Sequence, residues 1–130
     1  MKEWLRGLLG RQGEKQAAAF LKKNGIRVLA RGVANPFGEI DLVGLDGDTI
    51  VFVEVRTRSS LEAGHPAESV TAEKQGRLTR AALAYLKQNR LLDRRSRFDV
   101  IAILWPEGAK SPQIEHYKNA FEAAGHGRLY

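Results

Sequence analysis

Apolar and polar residues follow two different periods along this chain. Segments 11–24 and 71–88 repeat apolar residues every three to four positions, which predicts helices; Gly25 ends the first, and Thr71 caps the second. Alternating or continuous apolar runs predict five strands, at residues 26–31, 39–45, 49–58, 98–105 and 113–117. A short helix is predicted at the end, at residues 119–124. The resulting order αβββαββα predicts one α/β domain over residues 1–130, with a mixed β-sheet flanked by helices.

The second and third predicted strands form a hairpin, since Asp-Gly-Asp at 46–48 is a strong turn signal. If the last two of these residues form the turn, Asp41 lies directly opposite Glu54. If the first two form it, the two carboxylates are diagonal neighbours on one face, whereas a three-residue turn needs a bulge to bring them together. Because side chains alternate along a strand, Ile40 and Leu42 are predicted to share the opposite face.

Paired carboxylates on a hairpin indicate a cation site. Directly opposed Cβ atoms lie roughly 4.5–5.5 Å apart, so one carboxylate takes up a proton unless a cation lies between them. Mg²⁺ or Mn²⁺ meets this need, because each binds a few carboxylate oxygens and keeps several waters. The alternative is a solvated strand face on which Glu39 and Glu54 pair with Arg56 and Arg58.

Five short blocks of sequence give the hairpin a wider context: Gly13-Glu14, Gly38–Leu42 (GEIDL), Phe52–Arg56 (FVEVR), Arg97–Val100 (RFDV) and His116–Phe121 (HYKNAF). Asp41 followed by Glu54-Val-Arg56 resembles the PD-(D/E)xK restriction-endonuclease-like superfamily, whose members bind Mg²⁺ and cut phosphodiesters. Together the blocks resemble the YraN family of small, uncharacterised bacterial proteins, similar in fold to archaeal Holliday-junction resolvases. The resemblance extends over nearly the whole chain and implies a restriction-endonuclease-like fold.

The resemblance also implies roles for individual residues. Asp41 and Glu54 would be metal ligands, and Glu14 on the first helix would add a third carboxylate to the metal or its water. Position 56 departs from the pattern, because the superfamily favours a lysine that orients or deprotonates the attacking water. Arg56 completes the catalytic set but is effectively never deprotonated. Metal binding is therefore expected to survive this change better than catalysis does.

The charge balance indicates an anionic partner. Twenty-one Lys and Arg oppose fifteen Asp and Glu, which gives a net charge of +6 and a pI near 9.9 and favours a nucleic acid, with DNA the expected polymer. The candidate phosphate contacts are Arg58, Lys74, Arg77 and Arg80, although the three on the second helix also fit an ordinary solvated face. Lys74 is in addition a candidate to replace the missing active-site lysine.

Other features narrow the class of protein. The absence of cysteine excludes disulfides and thiolate metal sites, and no apolar run approaches the ~20 residues of a membrane span. Met1 to Gly10 lacks a signal-peptide core, so a cytoplasmic protein without a membrane partner is expected. Asp99, inside an apolar strand, is expected to be a hydrogen-bonded structural residue rather than a metal ligand.

Three functions remain open on the sequence. The first is a metal-dependent nuclease that hydrolyses structured or branched DNA. The second is a nucleic-acid-binding module of nuclease fold that cuts weakly or not at all, which Arg56 favours. The third is a protein–protein adaptor with a basic surface. The sequence leaves open whether two copies form a homodimer.

Overall fold

The computed structural model describes residues 3–60, 62, 64–65 and 69–123, with side chains described from Gly10 onward. The elements are α1 (Glu3–Lys23), β1 (Arg27–Asn35), β2 (Gly38–Asp46), β3 (Thr49–Arg58), α2 (Ala72–Gln88), β4 (Ser96–Leu104) and β5 (Gln113–Phe121). The five strands form one sheet in sequential order, in which only the β3–β4 pair is parallel. The α/β class with a mixed sheet is confirmed.

The two helices cover the sheet on opposite faces. On one face Phe52 and Phe98 pack with Leu78 of α2, and on the other Val53 packs with Leu21 of α1. Helix α2 lies between the parallel strands β3 and β4 in the chain, where a crossover helix is expected. Burial on both faces explains why these two strands are nearly continuous in apolar residues.

Most predicted element boundaries agree with the structure. The Thr71 hydroxyl caps α2 by accepting from the Lys74 amide at 3.3 Å, and β3 has the predicted limits. Helix α1 begins earlier than predicted, and β1 continues to Asn35. The helix predicted for residues 119–124 is wrong within the described residues, because β5 continues to Phe121 and residues 122–123 are not helical; residue 124 lies outside the described residues.

The β2–β3 hairpin has the first of the two predicted turns. Asp46 pairs with Thr49, so residues 47–48 form a two-residue turn, and the last regular pair is Leu42 with Val53. The prediction that Ile40 and Leu42 share a face is wrong: Ile40 packs on the α2 side and Leu42 on the α1 side. The alternation therefore breaks at Asp41, where the strands begin to separate.

Candidate active site

Asp41 lies just beyond the last regular pair of the β2–β3 ladder. Its Oδ2 accepts a hydrogen bond of 2.8 Å from the Val55 amide, so a side chain replaces the backbone partner that β2 no longer supplies. On the other side, Gly32 of β1 faces this position in the register and adopts φ +55°, a conformation that glycine tolerates best. The Asp41 carboxylate thus turns toward β3 at the point where regular pairing of β2 with β3 has ended.

Glu54 is the carboxylate that Asp41 meets. Burial raises the pKa of Glu54 to about 9, and a side-chain hydrogen bond to Asp41 and the repulsion of the Asp41 charge contribute to the rise. Arg56 and Lys74 act against this shift without cancelling it. At neutral pH the Glu54 carboxyl is therefore protonated and donates to the Asp41 carboxylate, as expected for two acids in contact.

Glu14 approaches the same pair from α1. Gly13, the residue before it, packs so closely on β3 that an added Cβ would collide with Thr57 Oγ1. This contact sets α1 against the strand and directs Glu14 toward the acids. Burial raises the pKa of Glu14 to about 6, assisted by the negative charges of Asp41 and Glu39.

The donor set suits a hard divalent cation, although it is incomplete in this structure. Asp41, Glu54 and Glu14 contribute carboxylate oxygens, the ligands that Mg²⁺ and Mn²⁺ prefer, and the Asp41 charge raises the pKa of both glutamates, as it does among acids that a cation can bridge. Within the described part of the chain, however, no three His, Cys, Asp or Glu side chains converge closely enough to enclose a metal. The Asp41 charge acts on Glu14, but the three acids do not form such a cluster.

Arg56 is anchored by the loop before α2. Its Nε donates to Ser69 Oγ at 2.7 Å, and its Nη2 donates to the Ser69 carbonyl at 3.5 Å. The guanidinium thus gives positive charge to the site while its Nε and Nη2 donate to Ser69. The solvated-face alternative is not supported, because none of the ion pairs found among the described residues joins Glu39 or Glu54 to Arg56 or Arg58.

Lys74 faces the acids across an open cleft of about 150 Å³. Burial lowers the pKa of Lys74, and the neighbouring cations Arg56, Arg77 and Arg58 lower it further, whereas Glu54 raises it. The cleft lies between the β1–β2 turn, β3 and the first two turns of α2. Its lining residues are Gly38, Glu39, Glu54, Lys74, Arg77 and Leu78.

The other predicted phosphate contacts lie around this cleft to different extents. Arg77 lines it and is exposed, and Arg80 is exposed one turn further along α2. Arg58 is partly buried and donates to the Thr57 carbonyl at 3.2 Å, but its charge is felt at Lys74. The structure thus brings Lys74 and Arg77 to the cleft beside Glu54, with Arg58 close enough to act on Lys74 and Arg80 more peripheral.

Two members of the site were not predicted. Ser69 fixes Arg56 but lies in a loop whose sequence has no motif that signals this contact. Glu39 lines the cleft and acts on Glu14, and its position two residues before Asp41 on β2 was a usable signal. Asp99, as predicted, is buried and hydrogen-bonded: it accepts from Arg97, at 2.9 Å, and pairs with His116 at 2.7 Å.

The mixed sheet lies between two helices and carries an acid pair where the β2–β3 hairpin opens. This arrangement agrees with the restriction-endonuclease-like class that the five motif blocks resemble. The model of the uncharacterised protein family UPF0102 matches residues 13–103, and the chain belongs to this family. The resemblance to the YraN family is thereby confirmed. This match includes every predicted site residue.

Relatives from several bacteria are similar to this chain over most of its length. A UPF0102 protein, RB9115, of Rhodopirellula baltica is 47% identical over 94% of this chain and 75% of its own length. UPF0102 proteins of Pelotomaculum thermopropionicum and Geobacter metallireducens are each 47% identical over 89% of this chain, and over 97% and 93% of their own lengths. Across the described residues, no helix is both long and apolar enough to cross a membrane.

Proposed function

We propose that this protein is a metal-dependent nuclease that hydrolyses phosphodiesters in structured or branched DNA. The observation that supports this proposal most directly is the Asp41–Glu54 pair, two acids in hydrogen-bond contact beside a cleft lined by cations. Acids that share a proton in this way form a site in which a divalent cation can replace it. The cationic side of the cleft matches the phosphate that such a site would act on.

In this proposal Asp41 and Glu54 hold Mg²⁺ or Mn²⁺, and Glu14 binds the metal or its water. The metal, when bound, supplies positive charge to the phosphate and lowers the pKa of a water molecule. Arg77 and Arg58 bind the flanking phosphates and orient the strand along α2. Hydrolysis adds the water oxygen to phosphorus and releases one of the two sugar oxygens.

Lys74 takes the part that a lysine at position 56 would have. Arg56 cannot accept a proton and is bonded to Ser69, so it supplies charge alone. Burial and the surrounding cations lower the pKa of Lys74, which favours the neutral amine that can accept a proton from water beside Glu54. Arg56 on β3 thus supplies the positive charge and Lys74 on α2 acts on the water, two functions that a single lysine at position 56 would combine.

The test is cleavage of branched and single-stranded DNA in Mn²⁺ and in Mg²⁺. We expect slow cutting that is faster in Mn²⁺, is abolished in Glu54→Ala, and falls about a hundredfold or more in Lys74→Ala. Lys87→Ala removes an exposed lysine at the other end of α2 and is the matched control. Arg56→Lys should increase cutting, and that gain should vanish when Glu54→Ala is added.

A nucleic-acid-binding module without cleavage is the second candidate, and the anchoring of Arg56 on Ser69 favours it. Salt-sensitive binding with no cutting by any variant would establish this alternative. Cutting that survives Glu54→Ala would instead show that the hairpin is not the catalytic centre.

A further inference from the structure

Three large apolar side chains are exposed among the described residues: Leu29, Phe37 and Leu92. Leu29 lies on the edge strand β1, and Leu92 lies between α2 and β4. Phe37 is the most exposed, at 47%, and it directly precedes Gly38 and Glu39, which line the cleft of the acid pair. A single exposed apolar residue needs no explanation by itself, so what matters is how Phe37 is held and what lies beside it.

The turn that presents Phe37 is held by the Asn35 side chain. The Asn35 side chain accepts a 3.0 Å hydrogen bond from the Phe37 amide and donates one of 3.1 Å to the Ala81 carbonyl of α2. Pro36 restricts the backbone between them. The turn is therefore tied to α2, and the aromatic ring is held outward by a braced backbone, which lowers the entropy that is lost when the ring binds a ligand.

Phe37 presents an aromatic face next to a cleft that is lined by cations. Arg77 lines the cleft that begins at Gly38, so a strand whose phosphates lie along α2 passes beside the β1–β2 turn. Phe37 lies four residues before Asp41, about 13 Å at the ~3.3 Å rise of a strand. Cationic grooves with aromatic rings at their rim bind single strands, because every base presents a π-face.

We propose that Phe37 stacks on an unpaired nucleobase a few nucleotides from the phosphate at the acid pair. This inference rests on the proposed function and narrows its substrate to nucleic acid with unpaired bases, such as a single-stranded arm or the open centre of a branch. Bases inside a duplex are already stacked on both faces, so a fixed ring at the rim selects against an uninterrupted duplex.

The test measures binding without cleavage, in buffer containing a chelator and little salt. Fluorescence anisotropy compares a short oligothymidine with an abasic strand of the same length and charge, for the wild type, Phe37→Leu and Phe37→Trp. We expect the wild type and Phe37→Trp to prefer the strand with bases by about tenfold or more, and Phe37→Leu to lose most of that preference. Leu92→Ala is the matched control and should bind like the wild type.

The other possible outcomes contradict either the stacking role of Phe37 alone or the proposed function as well. If Phe37→Leu keeps the wild-type preference, or binds both strands more weakly by the same factor, stacking by Phe37 is wrong and the proposed function stands. If the wild type binds neither strand at low salt, the proposed function and the stacking role both fail. Melting curves of all variants confirm that the substitutions do not alter folding.

Discussion

At the scale of single residues, the site depends on one shared proton. Glu54 is protonated at neutral pH because it is buried against Asp41, whereas the Asp41 carboxylate is stabilised by the Val55 amide. The two acids therefore differ in their surroundings although they occupy neighbouring strands. A cation that binds here must displace the proton of Glu54, whose pKa is raised to about 9, so metal affinity should rise with pH up to that value.

The raised pKa of Glu54 predicts how the stability of the metal-free protein depends on pH. The folded protein holds a proton that the unfolded chain releases above its ordinary pKa of 4.5, so stability falls as pH rises from 4.5 to about 9. Glu54→Gln keeps a donor to Asp41 but cannot ionise. We expect it to melt at a higher temperature than the wild type near pH 8 and at the same temperature below about pH 4.5.

Thermal unfolding in a chelator, followed across this pH range, gives the comparison. Lys87→Ala is again a suitable control, since it changes charge without touching the acids. Parallel melting curves for the wild type and Glu54→Gln at all pH values would mean that Glu54 is ionised in the folded protein.

The acid pair itself was predictable, and its surroundings were not. Turn chemistry set the register that leads Asp41 and Glu54 toward each other, because residues 47–48 suit a two-residue turn, although regular pairing ends at Leu42 and Val53. The reversal between Ile40 and Leu42 could not be read from alternation, because it occurs where the regular pairing of β2 with β3 has ended. The hydrogen bond of Arg56 with Ser69 joins positions thirteen apart through a loop, which no local pattern encodes.

At the scale of elements, the position of Glu14 depends on how closely α1 approaches β3. Gly13 allows this approach because it lacks a Cβ, and the Thr57 side chain occupies the space. The sequence pattern predicted the two elements, and the family resemblance implied that Glu14 of the first helix lies beside the acids. The pattern did not predict the earlier start of α1. It also did not predict the extension of β5 to Phe121, because pairing with β4 overrides the weak helical pattern of that segment.

This close approach predicts opposite effects for two glycines of the same helix. Gly13→Ala should destabilise the protein by about 1–3 kcal/mol, because its methyl group would collide with Thr57 Oγ1 and force α1 outward. Gly10→Ala meets nothing within 4 Å and should stabilise it by up to about 1 kcal/mol through helix propensity. Urea denaturation measures both, and equal effects of the two substitutions would contradict the close packing of Gly13 on β3.

At the scale of the whole molecule, many charged residues belong to one of two groups: a buried ionic network and an excess of cations. The buried Asp99 is paired with Arg97 and His116, and Arg97 also bonds to Asp46 at 2.8 Å, so this network joins β2, β4 and β5. Asp99 was predicted to be hydrogen-bonded, but its partners come from strands whose register the sequence does not specify. The excess positive charge, in contrast, is partly concentrated along α2 beside the acid pair.

That concentration predicts how nucleic-acid binding should depend on salt. Each phosphate that a cation neutralises releases condensed counterions, so the logarithm of affinity falls linearly with the logarithm of salt concentration. Arg77→Ala/Arg80→Ala should reduce the steepness of that dependence by about 1 for each phosphate that is no longer neutralised, with Arg77 contributing more because it lines the cleft.

Lys22→Ala/Lys23→Ala removes the same charge from the last turn of α1, about 12 Å along the helix from Glu14, and should leave the slope nearly unchanged. Titrations of single-stranded DNA at several salt concentrations, in a chelator, separate the two double variants. Equal reductions of slope would mean that net charge rather than the α2 surface governs binding, and an affinity that ignores salt would favour the adaptor function instead.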